Sequence, residues 1–266
     1  MSNSPGGTYS VKGNAYGWLK LPGTAAFYGG DRETGHDNVN PGGSKQVIVD
    51  AYEAALTAGV PLENYDSEDP HDLDGDGNLL EKDGLVDHLM IIHAGIGQEA
   101  GGGSLGDNAI WSHRSAKFVD PDGLDPSSGK PGFYDYTIMP EDGAVGVFAH
   151  EYGHDLGLPD EYDTIYSGAG EAVAYWSIMA SGSWAGAVPG AEPTGFSPYA
   201  KEYFQSYLGG NWTNDTVELD WDNVSSKGTQ FLLDQANSPN GTNSSILKVN
   251  LPQKKVYVNK PKTWKL

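Results

Sequence analysis

The chain has 266 residues, enough for one large domain or two small ones with a sizeable core. Its 16 basic and 36 acidic side chains leave a net charge of -20, which disfavours nucleic acid and anionic membranes and suits cation binding or solubility in salt. The absence of cysteine excludes disulfides, thiolate metal sites and a cysteine nucleophile.

In chain order, residues 1–45 are rich in Gly and Pro and read as loops with one short strand. "MSNSPGGTYS" has neither a basic nor an apolar region, so no signal peptide is expected; the protein is either not exported or begins here after processing. In "GGSKQVIVDAYEAALTAGV", Val47, Ile48, Ala51, Ala54, Ala55 and Ala58 recur at helical spacing, with Ser44 as N-cap and Gly59 as stop. An acidic loop, 66–83, then feeds "GLVDHLMIIHAG", read as a strand. This is the most apolar stretch and is too short to insert into a membrane. Residues 95–140 are mostly loop, with a short strand near "AIWSHR" and an alternating strand at "FYDYTIMPE". "GAVGVFAHEYGHDLGL" reads as a helix whose apolar face is Val145, Phe148, Ala149, Tyr152 and Leu156, ended by Gly157. "YWSIMASGSW" is a tight aromatic turn, and "SPYAKEYFQSYLGG" a third helix capped by Ser197 and Pro198. From 211 the texture becomes short β segments, "NDTVELDWDN", "TQFLLDQAN" and "SSILKVNLP". The expected class is α+β, with domain 1–210 and a β-rich, truncated appendix 211–266.

The chemistry concentrates in "FAHEYGHDLGLPDEYD". His150 and His154, four apart on a helix, share a face and can reach one ion. Glu151 lies beside that ion, placed as general base and acid for a zinc-activated water. A catalytic zinc needs a third protein ligand. Gly157 allows a sharp turn, and Asp160, three residues on, is where the chain returns; Glu161 is the competitor one residue later. His88, His93 and His113 are weaker candidates for the same role. "DLDGDGNLLEKD" reads D-x-D-x-D-G-x5-D: Asp72, Asp74 and Asp76, the Asn78 carbonyl and Asp83 fall at calcium-loop positions, without the flanking helices of an EF-hand.

The spacing H-E-x-x-H-x-x-G-x-x-D resembles the metzincin metallopeptidases, with Met179 in "SIMASGSW" placed as their methionine turn. "FYGGD", "DGLVDHLMIIHAGIGQEAGGG", "IWSHR", "HEYGHDLGLPDEYD", "WSIMASGSWAG" and "PTGFSPYAKEY" together resemble the immune inhibitor A family of secreted bacterial metalloproteases over roughly residues 27–204. That resemblance implies a zinc endopeptidase with a metzincin-like fold: a mixed twisted sheet, an active-site helix, a backing helix and a methionine turn. It also implies protein or peptide substrates, structural calcium, and secretion as a precursor with a propeptide and C-terminal β-rich domains. Some metzincins carry a tyrosine two residues after the turn methionine; Ser181 stands there, so the oxyanion donor is unassigned. In metzincins an upper edge strand binds the peptide, and "DHLMIIHAG" is a candidate for that edge or its neighbour. The competing readings are a calcium-stabilised extracellular binding or adhesion module with a non-catalytic metal site, and a metal-dependent amidase.

Overall fold

The computed structural model describes residues 11–31, 43–121, 127–165, 167–168, 170–209, 212, 216–223, 230–233 and 246–251. The fold is mixed α+β, with a small mixed sheet and several helices. Lys12–Ser197 make one compact unit; Pro198–Leu266, with Met1–Val11, make another.

The first unit is built on three strands, β1 (Met90–His93), β2 (His113–Val119) and β3 (Phe133–Pro140), in the order β1-β3-β2. β1 runs parallel to β3, and β2 antiparallel to it with an irregularity between Ala116 and Val119. Central β3 is buried at Phe133 and from Tyr136 to Pro140, on both faces. α2 (Ser44–Thr57) contributes Val47, Ile48 and Tyr52 to the core formed with Phe133, Tyr136 and Ile138. Burial of such side chains is worth roughly 1.5–3 kcal/mol each. Tyr52 satisfies its hydroxyl by donating to Pro131 O at 2.6 Å.

Several expectations are corrected. Residues 25–29 form a short helix, α1 (Ala25–Gly29), capped by Thr24, where only loop and strand were expected. The strand at 84–95 shrinks to four residues; before it Leu85 makes an isolated bridge to Gly132 and the chain bends at Asp87. Ser44 is the first residue of α2 and not its cap; Gly43 occupies that place. α3 (Val145–Asp155) forms as expected, but its most buried positions are Gly146, Val147, Glu151 and Gly153, while Val145 is exposed.

The second unit holds α4 (Pro198–Tyr207) and two parallel strands, β4 (Thr216–Asp220) and β5 (Ile246–Asn250). Phe204 of α4 packs on Trp212, their ring centroids 4.7 Å apart. Residues 230–233 of the second expected β segment, "TQFLLDQAN", carry no regular structure, and the rest of that segment lies outside the described residues. No helix among the described residues is long and apolar enough to cross a membrane.

Candidate metal centre

α3 sets His150 and His154 one turn apart, and two backbone carbonyls fix their rings. His150 Nδ1 donates to Ile178 O, and His154 Nδ1 to Leu158 O, each at 2.8 Å. A carbonyl only accepts, so each neutral ring carries its proton on Nδ1 and presents a lone pair at Nε2. The two Nε2 atoms are 3.2 Å apart. Asp160 Oδ1 completes the triangle, 3.3 Å from His150 Nε2 and 3.1 Å from His154 Nε2. This oxygen is buried with no hydrogen-bond partner among the described residues.

Three acceptors facing one another repel. One shared proton relieves a single pair, whereas a cation at the centre satisfies all three. A tetrahedral ion with bonds of about 2.0–2.1 Å sets adjacent ligand atoms about 3.3 Å apart, so donor set and spacing both fit zinc. In the metal-free chain burial opposes ionisation of Asp160, but a proton carried on the imidazoles, through its hydrogen bond and charge, outweighs it and holds this carboxyl well below the usual range.

The turn beneath the helix does the positioning. Gly157 takes φ 95° and reverses the chain, with its amide donating to His154 O. Met179 is fully buried under α3: a Cβ on Gly153 would lie 2.5 Å from its sulfur. The same segment offers Ile178 O to His150 and Met179 O to the Glu161 amide, so one turn holds the first ligand and the residue beside the third. Glu161 itself points elsewhere, accepting from Ser197 Oγ at 2.6 Å.

Glu151 lines a cleft of about 860 Å3 together with His150, His154 and Asp160. Burial pushes its carboxyl up to about 7; the two imidazoles pull it back and Asp160 adds to the rise. A carboxyl near 7 can take and return a proton at neutral pH. The cleft wall is formed by Ser112, His113 and Arg114, at the start of β2, and not by β1. Sequence reasoning missed Glu171, a cleft residue that accepts from the amide and hydroxyl of Ser181 at 2.7 and 2.5 Å. Asp155, next to His154 and read from the sequence as an acid without a metal role, pairs with His88 Nδ1 at 2.6 Å.

None of the other histidine candidates joins the triangle. His88 bonds Asp155, His93 Nδ1 donates to Ala94 O, and His113 spans Trp111 O and the Tyr136 hydroxyl. In the acidic loop, Asp72, Asp74 and Asp76 bring ligand atoms within 4.8 Å of one another. Asp83 joins no such group; it is buried, accepts from the Leu85 amide, and is pushed up to about 6 mainly by burial. The Asn78 side chain spans Glu81 and the Leu80 amide.

The sequence of the immune inhibitor A peptidase M6 catalytic domain matches residues 1–213. The chain belongs to this peptidase M6 family. It is 50% identical over 264 residues to Immune inhibitor A of Bacillus thuringiensis subsp. alesti, covering 96% of this chain and 38% of that protein. It is 44% identical over 264 residues to Pre-pro-metalloprotease PrtV of Vibrio cholerae serotype O1, covering 96% of this chain and 28% of that protein. This M6 chain therefore spans well under half the length of the curated relatives it matches.

Proposed function

We propose that this chain is a zinc-dependent endopeptidase unit that hydrolyses peptide bonds of proteins. The observation that carries the reading is the convergence of three acceptor atoms, from His150, His154 and Asp160, beside buried Glu151 in an open cleft. These three residues would hold zinc, which supplies Lewis acidity that polarises a carbonyl and acidifies water. Glu151 takes a proton from the attacking water and delivers it to the departing amine, leaving a carboxylic acid and a free amine. Strand β2, at an edge of the sheet among the described residues, would offer that edge to an extended peptide beside the cleft.

Met179 beneath α3 and the reversal at Gly157 support a metzincin-like fold with its methionine turn. In this reading residues 1–210 form the catalytic domain and 211–266 a β-rich appendix. Secretion as a precursor with a propeptide and further C-terminal domains accords with the name of the Vibrio relative and with the greater length of both relatives. A calcium ion in the acidic loop stabilises the domain without taking part in the reaction. A binding or adhesion module has no use for a buried carboxyl facing the cleft next to an incomplete ligand set, since structural zinc sites are closed.

Glu151→Gln tests the mechanism. The variant is expected to retain zinc and to lose cleavage of casein by at least about 100-fold. Full activity in that variant removes Glu151 from the reaction.

A further inference from the structure

We propose that Tyr162 is a catalytic residue: its hydroxyl donates a hydrogen bond to the oxyanion that forms when water adds to the scissile carbonyl. The proposal rests on the peptidase reading above and fills a role that Glu151 does not cover. Ser181, two residues beyond Met179, does not fill it either, since its hydroxyl donates to Glu171 at 2.5 Å.

The chain bends through Glu161 and Tyr162 directly after Asp160. Glu161 turns to Ser197, whereas the Tyr162 ring stacks on His150, with ring centroids 6.5 Å apart and planes 21° apart. The His150 ring is itself held by Ile178 O at 2.8 Å, so the stack sets the phenol against a fixed ligand. Tyr162 lines the same cleft as Glu151 and Asp160 and is 37% exposed, so a substrate can reach it. Other donors on the cleft wall are committed elsewhere. Ser112 Oγ donates to Glu99 at 2.5 Å, and Ser183 Oγ to Ala180 O at 3.1 Å. Arg114 is paired with Asp135, and His113 spans Trp111 O and the Tyr136 hydroxyl.

A peptide carbonyl that enters between the three ligands brings its oxygen beside the His150 ring, on which Tyr162 is stacked. As the water oxygen bonds to the carbonyl carbon, the π pair moves onto the carbonyl oxygen and Glu151 takes the water proton. The phenol is a neutral donor and keeps its own proton throughout. When the tetrahedral species collapses, the pair re-forms the C=O bond and the C–N bond breaks with its electrons on nitrogen. Glu151 then gives the proton to the amine. A fixed donor binds the charged oxygen more strongly than the neutral carbonyl, so it acts on kcat more than on KM.

The test compares the zinc-loaded full chain with Tyr162→Phe, which keeps the ring and its stack and removes only the O–H. Zinc content is expected to stay at one per chain. On a short quenched-fluorescence peptide, kcat is expected to fall at least about 10-fold with KM within about 3-fold. Calorimetric titration gives a second readout that needs no turnover. A peptide phosphinate, whose tetrahedral anion copies the intermediate, is expected to lose at least about 10-fold in affinity, and the amine product peptide less than about 3-fold. An unchanged kcat, equal losses for phosphinate and product, or loss of zinc from the variant overturns the proposal. A parent chain that cleaves nothing sinks the peptidase reading and this proposal with it. A parent that cleaves, with a variant that cleaves equally well, sinks this proposal alone.

Discussion

Asp160 and Glu161 are adjacent acids with opposite fates, decided by one peptide unit. The Glu161 amide is fixed on Met179 O and its side chain on Ser197, which leaves Asp160 turned to the two imidazoles. Asp160→Asn is therefore expected to lower zinc affinity by more than about 10-fold, and Glu161→Gln to change it only a few-fold; metal competition with a chelator of known affinity reads both. The reverse order would move the third ligand to Glu161. A second residue-scale consequence concerns His88. Burial opposes its protonation, but the hydrogen bond and charge of Asp155, with Glu68 and Asp87, outweigh this and raise its pKa above the ordinary 6.5. The native state then binds more protons than the unfolded chain between the two values. The stabilisation is complete below about 6.5 and is lost as pH rises through the folded pKa. Thermal melts of zinc-loaded protein are expected to show that slope and His88→Gln to lack it; parallel profiles would contradict the coupling.

At the scale of elements, α3 is seated by its glycines. A Cβ on Gly146 would collide with the Ser183 carbonyl oxygen, and one on Gly153 would meet the Met179 sulfur at 2.5 Å. Backbone cannot yield as a thioether can. Gly146→Ala is expected to cost about 1–3 kcal/mol in urea unfolding and Gly153→Ala less, and equal costs would show that the close approach does not seat the helix. This packing also explains what the sequence concealed. Periodicity found α3 and β3 because both are long and strongly patterned. Of the face expected for α3 only Val145 is exposed, but the tightest contacts, at Gly146 and Gly153, were hidden because glycine carries no hydrophobic signal. Periodicity missed α1, five residues long, and extended β1 back over residues 85–89, which bond to the β3 side only at isolated points such as Leu85 with Gly132 and Leu89 O with the Thr137 amide. The histidine–glutamate motif was legible because its spacing is a single helical turn.

For the whole molecule, a net charge of -20 means the metal-free chain folds against its own repulsion. Bound cations remove part of that repulsion and add stability by mass action, about 2.7 kcal/mol at one hundred times the dissociation constant. The melting temperature of chelated protein is expected to climb with sodium chloride more steeply than that of metal-loaded protein, because salt screens what the ions no longer neutralise. Identical salt dependence would mean that neither site matters to the fold. The central claim, that His150, His154 and Asp160 hold a zinc ion in an active peptidase unit, is tested most directly by measuring zinc content and casein cleavage on one purified sample before and after chelation. One zinc per chain, with cleavage that disappears on its removal and returns on its addition, is the predicted result. Cleavage that persists in the zinc-free sample would contradict it.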